Sequence, residues 1–260
     1  MPQYGFFFDQ SRCTGCHACT ISCKSWNGLD PGPVKWMRVY QWEKGAFPNL
    51  RLGLLAIPCY HCEKPACMSA CKAGAILKEP EFGAVLVDTE RCRAAHANPA
   101  TADHRACWEA CPYGAPQFPD DSPTAVMSMC TMCIDRLKQG LSPICVLSCS
   151  LRALDFDTMD NLKAHYGDLQ TLADLPGPDT TRPSVIFKPP DAKKLLIPWD
   201  PHRALELWKG RGPFAPPDLP PVLDKPTDMT EVPPGIVGRD RLVLKPRTRQ
   251  ELMYYTANDE

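Results

Sequence analysis

The cysteines are where this chain could do chemistry. Fifteen occur in 260 residues, bunched into four groups. The first, CTGCHACTISC from Cys13 to Cys23, separates Cys13, Cys16, Cys19 and Cys23 by two, two and three residues. At that spacing three thiolates can close around one small object while the fourth points elsewhere, which is the loop pattern of an iron-sulfur cluster. A structural zinc usually takes two close pairs a dozen or more residues apart, so four cysteines at this density fit it poorly. Disulfides between such near neighbours would strain the chain, and the stretch would need two of them.

The remaining groups vary the theme. CYHCEKPACMSAC places Cys59, Cys62, Cys67 and Cys71 with two, four and three residues between them. The third group departs from the pattern: Ala95 stands three residues after Cys92, where a cysteine is expected, and the insert HANPATADHRA then precedes Cys107 and Cys111. The fourth is regular again, with Cys130 and Cys133 as a close pair, then Cys145 and Cys149. Met127, Met129 and Met132 interleave with that pair and read as soft packing, because sulfide clusters take thiolates rather than thioethers.

Short elements must position these groups. YGFFFD, residues 4 to 9, predicts an edge strand that runs into the first group. VKWMRVYQWE, Val34 to Glu43, alternates as a half-buried strand does, with Trp36 and Trp42 packing the core. MSACKAGAI after Pro65 predicts a short helix carrying Cys71, and a fourth cysteine at the start of a helix would point away from its own loop. AVLVD, Ala84 to Asp88, predicts a strand leading to Cys92, and RALDFDT another after Cys149. DNLKAHYGDLQTLADL, Asp160 to Leu175, has the spacing of an amphipathic surface helix. Beyond it lie more than half of the 29 prolines, between Pro176 and Pro246. Segments such as GPFAPPDLPPVL cannot build helix or central strand, and anchors such as Trp199, Trp208 and Phe214 favour a tail laid along a surface over a solvated linker.

Composition narrows the function. Lysine plus arginine number 29 against 30 for aspartate plus glutamate, leaving no net field to attract nucleic acid or anionic lipid. The longest apolar run, LGLLAI from Leu52 to Ile57, falls far short of the 18 or so residues a membrane span needs. MPQYGFFFDQSRC has no basic leader, so the chain is read as lacking a signal peptide of its own. There is no P-loop, no dinucleotide fingerprint and no catalytic triad, which leaves a carrier of electrons rather than a maker of bonds. Three rivals stand beside that reading: a free polyferredoxin, a zinc-stabilised interaction module, and an enzyme with a pocket built around the insert.

QYGFFFDQSRCTGCHAC, CYHCEKPAC, CPYGAPQF and PICVLSCSLRALDF together resemble the electron-transfer subunits of the dimethyl sulfoxide reductase family of molybdenum and tungsten oxidoreductases. The resemblance runs from residue 3 to about 190 and leaves the last 70 residues without a counterpart. It implies an α+β fold of two interleaved ferredoxin-like modules. One would be built from residues 1–50 and 115–175, the other from 51–114 with its insert at 96–106, and a proline-rich extended tail over 176–260 would wrap a partner.

The resemblance also implies crossed ligand sets. Cys13, Cys16, Cys19 and Cys149 would hold one 4Fe-4S cluster; Cys23, Cys130, Cys133 and Cys145 a second; Cys59, Cys62, Cys67 and Cys111 a third. The fourth site would have Cys71, Cys92 and Cys107 with Ala95 in place of its last thiolate. That site is then a 3Fe-4S cluster, a 4Fe-4S cluster completed by water or by His96, Asp103 or His104, or empty. The implied partners are a large subunit with a molybdenum or tungsten bis-pterin cofactor and, at the far end, a membrane anchor, cytochrome or soluble carrier, as in anaerobic respiration. The implied compartment is the cytoplasm, or the periplasm by co-export with a signal-bearing partner.

Overall fold

The aromatic run near the N-terminus does form a strand, although not at an edge. In the computed structural model, which describes residues 2–45, 51–97, 105–190 and 242–247, β1 (Tyr4–Asp9) is the middle strand of three. It pairs antiparallel with β6 (Leu154–Thr158) and parallel with β7 (Val185–Lys188). Three phenylalanines in succession explain the position, because they bury both faces at once. Phe6 and Phe8 enter the main core, whereas Phe7 packs with Met159, Leu162 and Ile186 on the other side. A strand apolar on both faces belongs inside a sheet.

The next strand begins later than its alternation suggests. β2 covers Arg38–Lys44, and the residues from Val34 to Met37 precede it without joining. Its partner is β3 (Arg51–Ile57), an antiparallel neighbour along its whole length. LGLLAI is therefore a strand whose apolarity serves the core. Trp42 is buried and donates its indole N–H to Asp174 at 3.2 Å, tying a loop to this ribbon, and Trp36 donates to the Ser128 hydroxyl at 3.1 Å from the segment just before it.

The cysteine-bearing helices are short, most of them one or two turns. α1 is Ala18–Asn27, α2 is Ala66–Ala70, α3 is Thr89–His96, α4 is Ala106–Ala110, α5 is Ile134–Leu137 and α6 is Ile144–Leu147. α1 packs on α6, and α2 packs on α4. A hairpin of β4 (Ile76–Lys78) and β5 (Val85–Val87) follows α2. Asp88 then starts α3 by accepting the backbone N–H groups of Glu90 and Arg91, which satisfies two donors at the open end of a helix. Cys92 thus sits on a helix rather than in the loop expected after AVLVD.

Two further expectations change. The helix predicted around Cys71 lies earlier: it carries Cys67 and stops at Cys71, because Gly74 sits at φ 60° and turns the chain toward β4. The amphipathic helix expected over Asp160 to Leu175 is α7 (Met159–Tyr166), ended by Gly167 at φ 85°. The folded body also runs past residue 176, where the tail was expected to begin, since β7 and the turn before it complete the sheet. Trp199, Trp208 and Phe214 lie outside the described residues. Residues 242–247 are described, and they rest on the folded body itself. Leu244 is buried and its carbonyl accepts the Tyr40 hydroxyl at 3.0 Å, while the Lys245 ammonium stands 4.5 Å above the Trp108 ring.

Candidate metal centres

Three cavities are lined by the cysteines in mixed sets. Cys13, Cys16, Cys19 and Cys149 line one, together with Leu151 and Leu154. Cys59, Cys62, Cys67 and Cys111 line another, with Tyr60, Tyr113 and Thr181. The third is lined by Cys71, Cys92 and Cys107 along with Ala95, His96, Lys72 and Met127. It is much the roomiest, about 270 Å3 against about 20 and 10 Å3 for the others. The four remaining cysteines also gather: ionisation of Cys145 is opposed by Cys130, Cys23 and Cys133, and that of Cys23 by Cys130 and Cys133. Each set mixes cysteines from two groups, and the groups combine as first with fourth and second with third.

Helix geometry explains the mixing, by a different route from the one expected. The fourth cysteine of a group was expected at the start of a helix; instead Cys71 and Cys111 close the helices α2 and α4, Cys149 follows α6, and Cys23 lies inside α1. In every group the last two cysteines are four residues apart, about 6 Å along a helix axis. One turn of helix therefore carries the chain from one cavity to the next. Where two such helices pack together, as α1 with α6 and α2 with α4, each delivers its last cysteine to the other's cavity.

Backbone N–H groups are aimed at the sulfurs. At the loop starts, His61 donates to Cys59 and Met132 to Cys130, both at 3.4 Å. After the last cysteines of three groups, Ala75 donates to Cys71 and Ala115 to Cys111 at 3.4 Å, and Ala153 to Cys149 at 3.2 Å. This last contact needs a left-handed residue just before the donor, and Gly74, Gly114 and Arg152 supply it at φ 60°, 60° and 53°. Inside α1 the corresponding amide is committed to the helix, and the Asn27 side chain approaches the Cys23 sulfur instead, at 3.6 Å. The repeated Cys-x-x-Gly-Ala of residues 71–75 and 111–115 was a visible signal for these donors, whereas Arg152 in place of glycine hides the third.

Burial, reinforced by neighbouring thiols, pushes Cys19, Cys67, Cys107 and Cys130 up to about 12 and Cys62 up to about 11. As neutral thiols these side chains have little use for the N–H donors aimed at them; as thiolates bound to cationic iron they do. Loading metal must then expel protons, and the N–H donors stabilise the charge left on sulfur. Among the described residues no group of three or more His, Cys, Asp or Glu is placed to hold a single metal ion. Thiols spread around a cavity are what a multi-iron cluster requires, and the donor set is all sulfur at the two four-cysteine cavities.

Of the candidates for the incomplete site, His96 lies on α3 one turn beyond Cys92, and both line the cavity. Asp103 and His104 lie outside the described residues. His61, by contrast, is a core histidine: burial pushes it down to about 3, and its Nδ1 accepts the Val85 N–H at 2.9 Å, fastening the second cysteine loop to β5. No helix among the described residues is long and apolar enough to cross a membrane.

A family model described as a 4Fe-4S dicluster domain matches residues 51–159, which makes this an iron-sulfur protein of mixed helix and strand. The chain is 42% identical over 195 residues to the iron-sulfur polypeptide of the anaerobic dimethyl sulfoxide reductase of Escherichia coli, covering 72% of this chain and 89% of that one. It is 36% identical to a subunit of the sulfite dehydrogenase of Allochromatium vinosum, over 59% of this chain and 68% of the relative. It is 32% identical to the beta subunit of formate dehydrogenase 2 of Nitratidesulfovibrio vulgaris, over 63% and 80%. This protein belongs to the family of iron-sulfur electron-transfer subunits that includes the dimethyl sulfoxide reductase polypeptide. Its part in an oxidoreductase complex is to carry electrons, not to turn over substrate.

Proposed function

We propose that the chain holds four clusters in a line, in two interleaved modules of residues 1–50 with 115–175 and 51–114. Three are 4Fe-4S clusters, held by Cys13, Cys16, Cys19 and Cys149; by Cys23, Cys130, Cys133 and Cys145; and by Cys59, Cys62, Cys67 and Cys111. The observation that carries this reading is that the first and last of these sets line one cavity each although each draws on two distant cysteine groups. The packing of α1 on α6 and of α2 on α4 supports the modular division.

When bound, such clusters supply one-electron oxidation and reduction. The protein's own residues keep them fixed and dry, since buried thiolates with aimed N–H donors move little as charge changes. At the fourth site Cys71, Cys92 and Cys107 provide three thiolates. The shared face of Cys92 and His96 on α3 favours a 4Fe-4S cluster completed by imidazole. A 3Fe-4S cluster is the second reading, favoured by Ala95 itself.

The substrate reaction belongs to a separate catalytic partner, as the names of the relatives support, and the family resemblance implies that this partner holds a molybdenum or tungsten bis-pterin cofactor. It docks where the Cys13 set reaches the surface. Cys16 is exposed there, and Ile21 on α1, Leu147 on α6 and Leu151 beside the cavity are large apolar side chains, 44% to 65% exposed. The Ala95 site faces a membrane anchor, cytochrome or soluble carrier.

The test is to purify the native complex, identify its other polypeptides and count iron and sulfide. Broad visible absorbance with close to four clusters per copy of this chain supports the proposal. A colourless, zinc-loaded protein overturns it, and so does a lone monomer that carries its clusters without a catalytic partner.

A further inference from the structure

Arg38 is the first residue of β2 and only 3% exposed. Its Nη1 donates to three oxygens: the Tyr113 carbonyl at 2.9 Å, the Gly114 carbonyl at 2.8 Å and the Tyr40 hydroxyl at 3.1 Å. All three are neutral. Nε and Nη2 are buried with no hydrogen-bond partner, and among the described residues no carboxylate lies in ion-pair range of the guanidinium.

A buried, unpaired guanidinium is costly, and arginine does not escape the cost by losing its proton. What the protein atoms fail to supply, an anionic cluster would. Arg38 is anchored to the two residues that follow closely on Cys111, and the first of them, Tyr113, lines the same cavity as Cys59, Cys62, Cys67 and Cys111. The anchor also depends on Gly114 having no side chain, because a Cβ there would stand 3.3 Å from Arg38 Nη1.

We propose that Arg38 is the built-in counter-cation of the relay, where it raises the reduction potential of the centre held by Cys59, Cys62, Cys67 and Cys111. This rests on the reading of those cysteines as cluster ligands. A fixed positive charge in a poorly screened interior favours whichever redox state carries one more electron, and net charge and burial are among the determinants of cluster potential. Arg38 is a positioning residue: it touches no substrate and binds no iron, and it sets how readily an electron rests at that centre.

The experiment is an EPR-monitored redox titration of the purified complex with wild-type protein, Arg38→Gln, Arg38→Met and Arg38→Lys, with iron and sulfide counted in each. The neutral variants are expected to keep their iron and to show one centre at least tenfold harder to reduce, a drop of about 59 mV for a one-electron couple. Arg38→Lys is expected to restore most of the shift. Unchanged potentials in an iron-replete neutral variant overturn the assignment, as does an Arg38→Lys protein shifted as far as the neutral ones. If the neutral variants lose iron, Arg38→Lys decides: full iron with a near wild-type potential supports the charge, and loss of iron there too assigns Arg38 to packing alone. A wild-type complex without iron-sulfur signals would instead defeat the ligand reading on which the inference rests.

Discussion

Cys13 and Cys149 come from the first and last cysteine groups of the chain and line a single cavity, where the Ala153 amide donates to the Cys149 sulfur at 3.2 Å. The closure joins α1 to α6 and brings the loop after β1 against the loop before β6. Cys23, one helix turn beyond Cys19, reaches the next set.

Crossing makes a mutation at one group felt at another. Cys23→Ser is expected to abolish the same EPR signal as Cys133→Ser and to spare the one lost in Cys16→Ser. Damage shared instead between Cys23→Ser and Cys16→Ser would return Cys23 to its own loop.

The Ala95 site should have the highest potential of the four, because one thiolate fewer leaves less negative charge on the cluster. Ala95→Cys, on α3 beside Cys92, is expected to lower that potential and to remove any EPR signal of a three-iron cluster. In a redox titration, four centres of indistinguishable low potential in the wild-type protein would contradict the idea. His96→Ala should change this centre alone, and a change elsewhere would argue that His96 acts through the fold.

Gly114 combines φ 60° with close neighbours: a Cβ would stand 2.6 Å from the Leu244 carbonyl oxygen. Gly114→Ala is expected to cost about 2–4 kcal/mol, from the left-handed backbone and from the overlap. Gly140 has a similar φ of 70° but open space around it, so Gly140→Ala should cost only about 1 kcal/mol. Unfolding midpoints of the two variants make the comparison. Equal losses would mean that residues 242–247 do not press on Gly114.

Asp9 ends β1 opposite Lys188 of β7, with the Lys188 ammonium 3.0 Å from its carboxylate. Burial alone would raise its pKa, but the Ser11 hydroxyl, Lys188 and the Ser11 amide together hold it below the usual carboxylate value. The folded state then binds fewer protons than the unfolded one, so the stabilisation is present above the unfolded pKa and is lost as pH falls through the lowered folded value. Asp9→Asn is expected to cost about 1 kcal/mol at neutral pH, the exposed Lys188 side chain limiting the gain. The gap to wild type should narrow below about pH 4. Urea midpoints that stay equally separated across that range would assign the loss to shape rather than charge.

The cysteine spacings, the strands at YGFFFD, AVLVD and RALDFDT, and the family itself were legible in the sequence, because each is a local pattern of residue types. A thiolate loop is written within a dozen residues, and a strand within six. Its place in a sheet is not: β1 is central because β6 and β7 arrive from more than a hundred residues away, and β3 is a strand because β2 lies beside it. Helix ends divide: Gly167, which stops α7, is a stop signal present in the sequence, whereas nothing local marks the extended backbone at Cys71 where α2 stops. Tertiary structure alone decided which cysteines share a cavity, since one turn of helix separates neighbouring sites and only packed helices bring the partner turn alongside. It alone also gave Arg38 its meaning. In sequence it is one cation in an alternating strand, and only burial without a carboxylate partner makes its charge count.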